Sequence, residues 1–229
     1  MGVLAIWRYP VKAMLGELLD AALVTVSGLT GDRGWIVVDE DTGERIANKR
    51  GPTDPRLRAC RAELVGEDEL RITLPDGEHV EHRDAAPALS ELLERRVRLE
   101  PGEHHDYGAV HVLTTGALDH LRRAAPGTDW DPRRFRANLL LEGEDEDNLI
   151  GRELRGRSGV RLRLDLHTPR CVVPTRAQHG LPADTRLLRS LVGHRLRDVP
   201  TLGPRPCMGA YASVPAAGRL GVGERLAVA

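Results

Sequence analysis

Cys171 is the residue of this sequence whose type and setting point most directly to chemistry. It lies in the segment LHTPRCVVPT, residues 166–175, directly after Arg170. A neighbouring arginine favours the thiolate form of a cysteine, and the thiolate is the form that attacks electrophiles and binds soft metals. The two prolines of the segment stop a helix and favour a rigid loop. The alternative interpretation is that Cys171 is a small buried hydrophobe at the end of a strand.

Cationic side chains recur beside the predicted strand ends, each in a loop with glycine, proline or a hydroxyl residue. They are Lys12, Arg33, Arg136 and Arg170, and Lys12 is one of only two lysines in the chain. If a barrel brings these loops to one rim, they form an anion-binding pocket with the reactive cysteine on its wall. Such a pocket suits a phosphorylated cofactor that carries a soft metal, and the amide of Asn138 could pair with a heterocycle edge. The alternative is that all four are ordinary surface cations.

Other residues allow both a chemical and a structural interpretation. Thr114 and Thr115 precede a predicted helix, where a hydroxyl caps the backbone, although the same helix start could bind an anion. The run His104-His105-Asp106 suggests a metal site, but a solvated loop is the favoured interpretation. Cys207 could be a second redox thiol, whereas Cys60 falls in a strand pattern and is predicted to be buried.

Composition narrows the class of protein. The chain has 229 residues, 41% of them hydrophobic and 29% charged, as in an ordinary globular protein. A net charge of −1 and an aromatic content of 3% argue against a nucleic-acid partner. No apolar run is long enough to span a bilayer, and the first residues do not form a signal peptide, so we expect a cytoplasmic protein. Three widely spaced cysteines argue against a disulfide framework.

Short strand patterns dominate the sequence and predict a mainly β fold, either a barrel or a sandwich. Helix patterns are few, and we expect residues 142–147 to form a solvated acidic loop and residues 48–52 a basic loop. The predicted strands cover residues 4–9, 22–26, 35–39, 57–65, 70–74, 79–82, 97–99, 110–113, 139–141 and 160–166. The predicted helices cover residues 87–94, 117–125 and 184–194.

Four short motifs occur in a characteristic order: YPVK at 9–12, GLTGDR at 28–33, RFRAN at 134–138 and TPRCV at 168–172. Together they resemble the MOSC family, named for the C-terminal domain of molybdenum cofactor sulfurase, with its N-terminal β-barrel companion. The resemblance extends to the amidoxime reducing component and its bacterial counterparts. It implies a MOSC-type β-barrel with a few short helices, in which residues 1–100 form the N-terminal barrel domain and residues 101–229 the MOSC domain.

The resemblance also implies a cofactor and a reaction. Cys171 would bind molybdenum of the pyranopterin cofactor as a thiolate, in a protein that reduces N-hydroxylated or N-oxide compounds. The small-molecule substrate would receive electrons from a separate reductase, because the chain has no flavin, haem or iron–sulfur motif. The residues that would hold or line the cofactor are Lys12, Arg33, Thr114, Thr115, Arg136, Asn138 and Arg170. Two positions depart from the family pattern: Ala13, where relatives commonly have serine, and Ala137, where proline is frequent.

Two other functions remain open at this point. The same cysteine could carry a persulfide, which would make the protein a sulfur or cofactor carrier. A plain ligand-binding β-barrel without turnover would need no reactive cysteine. Metal analysis separates the first from the leading hypothesis, and replacement of Cys171 by serine tests the second.

Overall fold

The structure is a computed structural model that describes residues 1–46, 54–66, 69–178 and 180–229. Its strands are β1 (Gly2–Arg8), β2 (Glu17–Leu19), β3 (Ala21–Thr25), β4 (Gly28–Leu29), β5 (Trp35–Asp39), β6 (Arg61–Leu64), β7 (Leu70–Thr73), β8 (His79–Glu81), β9 (Val97–Pro101), β10 (Val110–Thr114), β11 (Leu139–Glu142), β12 (Glu153–Arg155), β13 (Arg161–Pro169), β14 (Leu196–Val199), β15 (Gly203–Ala216), β16 (Gly218–Gly221) and β17 (Ala227–Val228). Its helices are α1 (Pro55–Ala59), α2 (His82–Leu93), α3 (Thr115–Ala124) and α4 (Arg186–His194). The protein is therefore mainly β with short helices, as predicted.

The chain divides into two compact units whose residues are interleaved along the sequence. Unit 1 contains residues 1–7, 19–30 and 107–229, and unit 2 contains residues 8–18 and 31–106. Each unit buries its own apolar side chains. One hydrophobic core consists of residues of unit 2 between positions 11 and 97, and two other cores consist of residues of unit 1. The chain therefore passes from one unit to the other four times.

Unit 1 is built on a large mixed sheet. Its strands run in the order β17-β12-β13-β15-β10-β11-β1, and β14 pairs with the other end of the long strand β15. Pairing is antiparallel except between β10 and β11, which are parallel and are joined through α3, as parallel neighbours require a crossover. A smaller sheet has the order β16-β3-β4. Alternation along β13, which the sequence showed clearly, places Leu162 and Leu164 in the core.

Unit 2 contains two small antiparallel sheets, β5-β9 and β6-β7-β8. Helix α2 packs its buried face, including Leu89 and Leu93, into the same core as β7 and β9. The helix begins at His82, five residues before the predicted start at Pro87, which lies inside it. The predicted basic loop at residues 48–52 lies outside the described residues.

Two local predictions are wrong. Residues 57–65 are not one strand: α1 occupies the first part, because Asp54 accepts a hydrogen bond from the backbone N–H of Arg56 and Pro55 begins the helix. Residues 142–147 are not simply a solvated acidic loop, because Glu146 within them is fully buried. Among the described residues, no helix is long and apolar enough to cross a membrane.

Candidate functional site

Cys171 is exposed, so the interpretation of it as a buried hydrophobe is wrong. It follows β13, whose last residue, Pro169, pairs with Cys207 of β15. Beyond the strand, the backbone N–H of Arg170 still donates to the carbonyl of Pro206 at 2.8 Å. On the far side, the hydroxyl of Thr175 donates to the carbonyl of Val172 at 2.7 Å. The thiol therefore lies on a loop that hydrogen bonds hold on both sides.

Arg170 links the cysteine loop to the arginine-rich turn at residues 132–136. Its guanidinium donates to the carbonyl of Phe135 at 2.9 Å and lies 5.6 Å from the centre of the Phe135 ring, a cation–π distance. Arg136 follows directly, half-buried and in the left-handed backbone region with φ of 53°. The structure therefore fastens the cysteine loop to the turn that contains Arg136, and the anion pocket itself stays a prediction.

Arg134, in the same turn, has a structural role that the sequence did not reveal. Its side chain is fully buried and pairs with Asp129. It also donates to the carbonyls of Pro174, at 3.3 Å, and Pro182, at 2.7 Å. Because Pro174 belongs to the cysteine loop, the buried Arg134 side chain holds that loop in place. Arg136 and Arg170 stay partly exposed.

The hydroxyl and amide candidates are engaged within the fold. Thr114 is buried, accepts from the backbone of Ala117 as the N-cap of α3, and donates to Glu146 at 2.6 Å. Thr115 accepts from the backbone N–H of Gly143 at 3.1 Å. Asn138 is buried and joins neighbouring strands, since it accepts from the backbone of His111 and donates to the carbonyl of Trp7. These partners give all three a structural role, and their contacts with a cofactor stay predictions.

Lys12 and Arg33 lie in unit 2. The ammonium of Lys12 donates to the carbonyl of His104 at 2.7 Å and to Asp106 at 2.9 Å. These two contacts of Lys12 hold residues 104–106 in place. His104 is buried, so this segment is not the freely solvated loop that the sequence favoured. Among the described residues, no group of three histidine, cysteine or carboxylate side chains is arranged to hold a metal ion.

Arg33 belongs to a group of four residues that we call the Arg33 cluster: Arg33, Asp32, Tyr9 and His105. Its guanidinium pairs with the buried carboxylate of Asp32 and lies 5.0 Å from the centre of the Tyr9 ring. Asp32 also accepts from the backbone N–H of Tyr9, and His105 approaches it at 3.8 Å. Burial lowers the pKa of His105, although the charge of Asp32 opposes that shift. Asp32 is a positioning residue that the sequence analysis missed, and its only signal was its place beside Arg33 in the glycine-rich segment.

Two of the cationic candidates, Arg33 and Arg136, have an unusual backbone conformation. Outside glycine, positive φ occurs among the described residues at Ala13, Arg33, Glu94, Arg136 and Thr201. Arg33 and Arg136 are themselves candidates and Ala13 follows Lys12. A left-handed conformation costs a non-glycine residue about 1 kcal/mol, and such strain concentrates at functional sites.

Unit 1 contains a second charged group, which the sequence did not predict. We call it the Arg195 cluster, and its members are Arg195, Glu146, Asp145, Asp147, Arg197 and His167. Arg195 is 1% exposed and pairs with Asp145 at 2.7 Å, Glu146 at 2.8 Å and Asp147 at 3.0 Å. Burial raises the pKa of Glu146, and the charge of Arg195 opposes the rise. No hydrophobic periodicity marks such a cluster in a sequence, since its members are separated by about 50 residues.

The two remaining cysteines are buried, as predicted for Cys60. Burial raises the pKa of Cys60 to about 12 and that of Cys207 to about 11. Both thiols are therefore protonated at neutral pH, and the exposed thiol of Cys171 is the accessible one among the three.

Comparison with protein families identifies the class of protein. The model described as MOSC N-terminal beta barrel domain matches residues 1–101, and the model described as MOSC domain matches residues 101–227. The chain therefore belongs to the MOSC family. The MOSC domain is the type found at the C-terminus of molybdenum cofactor sulfurase, and related proteins of the family bind molybdenum cofactor.

Among solved structures, the chain is similar to the YuaD protein from Bacillus subtilis, with a TM-score of 0.53 and 15% sequence identity over 99% of this chain and 93% of that chain. It also matches YiiM from Geobacillus stearothermophilus, with a TM-score of 0.38 and 15% identity over 66% of this chain and 67% of that one. The first similarity supports the fold. Comparison with curated proteins gives no match.

Proposed function

We propose that this protein is a molybdenum-cofactor-dependent oxidoreductase that reduces N-hydroxylated or N-oxide compounds. The observation that carries the proposal is the exposed thiol of Cys171 beside Arg170, which is fastened to the turn that contains the left-handed Arg136. Membership of the MOSC family supports the same cofactor class.

The chemistry of the donor set fits this cofactor. A solvent-accessible thiol on a loop held by hydrogen bonds is a suitable ligand for a soft metal centre. Lys12, Arg33 and Arg136 are suited to a phosphate group, because guanidinium groups bind phosphate through paired hydrogen bonds and the lysine supplies a compact charge. Thr114, Thr115 and Asn138 fit less well, because their polar atoms are engaged in the fold.

In this proposal, each residue of the chain has a defined task. Cys171 would bind the metal, and Arg170 would hold the cysteine loop against the turn at 132–136. Asp32 would orient Arg33, and Asp106 would orient Lys12. The bound cofactor would supply two-electron transfer to the substrate, whose oxygen leaves as water. A separate reductase would supply the electrons.

The first test is metal analysis combined with pterin fluorescence, on full-length protein purified from a host that makes the cofactor. We expect about one molybdenum per chain, and we expect Cys171→Ser to lose the metal or change its electronic spectrum. Cys60→Ala is the matched control, because it also removes one thiol, yet that thiol is buried in the core of unit 2. The control should keep the molybdenum content of the parent.

Absence of both molybdenum and pterin from the parent protein would overturn the proposal. Labile sulfane sulfur on Cys171 in such a protein would instead favour the carrier function. If the cofactor is bound, benzamidoxime-type N-hydroxylated compounds and heteroaromatic N-oxides are the substrates to assay with a chemical electron donor.

A further inference from the structure

Unit 1 contains an open cleft of about 460 Å³ that the proposed function does not use. It lies at the edge of the large sheet, beside the turn that joins β12 to β13 and the residues that lead into β17. Its lining residues are Met1, Arg155, Gly156, Arg157, Arg225, Leu226 and Ala227. The volume is in the range of sites that hold small molecules, which runs from roughly 300 to 1,000 Å³.

Three arginines give this cleft its chemical character. Arg155 pairs with Glu153 at 2.6 Å. Within the part of the chain that the structure describes, the guanidinium groups of Arg157 and Arg225 form no ion pair. The nearby carboxylate of Glu224 is engaged by the backbone N–H groups of Arg157 and Gly221, at 2.8 and 3.3 Å. Two guanidinium groups therefore remain available to an anion from solution.

Positive charge is concentrated on this part of the sheet. Residues 152–165 and 217–229 contain seven arginines and three carboxylates, although the whole chain has a net charge of −1. Such a local excess raises the concentration of anions near the surface. The distribution therefore favours an anionic ligand over a neutral or cationic one.

Packing fixes the backbone between two of the arginines. A side chain at Gly156 would place its Cβ 2.6 Å from Cγ1 of Val160 and 2.8 Å from a carboxylate oxygen of Glu224. The turn that separates Arg155 from Arg157 therefore requires glycine at position 156.

We propose that this cleft binds the phosphate groups of a small anionic ligand of the diphosphate class. The planar guanidinium fork matches phosphate oxygens, and the two guanidinium groups of Arg157 and Arg225 attract the negative charge of a diphosphate. The cleft lies at the start of β13 and Cys171 follows its end, so the strand separates the two by about 25 Å at 3.3 Å per residue. The ligand is therefore a second one, bound apart from the cysteine loop and independently of the proposed function.

The test is calorimetric titration of the full chain with inorganic pyrophosphate at low ionic strength. We expect saturable binding of one pyrophosphate per chain, with at least a tenfold higher Kd for Arg157→Gln/Arg225→Gln. The control, Arg123→Gln/Arg189→Gln, removes the same charge from exposed arginines outside the cleft and outside this positive region, and should change Kd less than twofold. Thermal unfolding of both variants checks that they are folded.

A parallel titration with ADP distinguishes two sources of the diphosphate group. Equal affinity for pyrophosphate and ADP indicates that the phosphates alone are recognised. Tighter binding of ADP indicates that the ligand is a nucleotide. Either result supports the proposal if Arg157→Gln/Arg225→Gln weakens the binding. No saturable binding, or an equal loss in both double variants, would overturn it.

Discussion

The Arg195 cluster and the Arg33 cluster both pair an arginine with a buried carboxylate, yet they differ in how deeply the arginine itself is buried. Arg195 is 1% exposed and has three carboxylate partners. Arg33 pairs with Asp32, lies over the ring of Tyr9, and keeps 16% of its side chain exposed in a left-handed backbone conformation.

We interpret the buried Arg195 as structural, and a binding role of the more exposed Arg33 stays a prediction. Around Arg195 the cluster joins β13, β14, β15 and the segment before β12, since Glu146 also accepts from the backbone N–H of Gly209 and the hydroxyl of Thr114. A new ligand would have to displace those partners. Around Arg33, Asp32 fixes one edge of the guanidinium and the protein maintains a costly backbone conformation, as expected for a residue positioned to bind something else.

The largest expected effect is the loss of stability in Arg195→Met. Removal of this cation leaves the carboxylate of Glu146 buried without its charge partner, which costs about 3–5 kcal/mol. Urea unfolding, followed by circular dichroism, measures this loss. Arg197→Met is the control, because Arg197 pairs with Asp147 at a partly exposed position where ion pairs contribute about 1 kcal/mol or less. Equal losses in the two variants would show that Arg195 is not the centre of the cluster.

A smaller effect is expected for Arg33→Ala, about 1–3 kcal/mol, because the buried Asp32 loses its arginine but keeps its hydrogen bond from the backbone of Tyr9. Arg33→Gly should be more stable than Arg33→Ala by about 0.5–1 kcal/mol, since glycine adopts a φ of 52° without strain. Urea unfolding measures both. Cofactor content should nevertheless fall in both variants if Arg33 binds phosphate. If Arg33→Ala lost as much stability as Arg195→Met, Arg33 would be as structural as Arg195, and the distinction drawn between the two clusters would be wrong.

The smallest effect concerns pH. Burial lowers the pKa of His167, which lies 3.4 Å from Asp147 in the Arg195 cluster and also faces Arg195, Arg197 and Asp145. The folded state therefore binds a proton less readily than the unfolded state, whose histidine titrates near 6.5. Stability should fall as the pH drops below 6.5, and this part of the fall should be absent in His167→Asn.

The measurement is the midpoint of urea unfolding between pH 7.5 and 5. His120→Asn, at an exposed position of α3, is the control and should retain the pH dependence of the parent. An unchanged pH profile in His167→Asn would show that this histidine is not coupled to folding.

Sequence periodicity predicted most strands, because alternation is a local property of residues such as those of β13. It failed at α1, where the capping contact of Asp54 and the fixed φ of Pro55 outweighed the strand pattern of the residues that follow. The motifs led to the family and to Cys171, Arg170 and Arg136. The burial of Asp32, Glu146 and Arg195 could not be predicted in this way, because burial of a charge depends on partners that only the tertiary structure brings into contact.

The pairing of β1 with β11 has a consequence for synthesis of the chain. Ile6 pairs with Leu139, so the N-terminal strand waits for a partner about 130 residues away. At roughly 5–20 residues per second, the ribosome needs on the order of 10 s to supply that partner. During this time one edge of an apolar strand has no partner, and contacts over such sequence distances make folding slow. We therefore expect the yield of folded protein to depend on growth temperature and on chaperones that shield the nascent N-terminus.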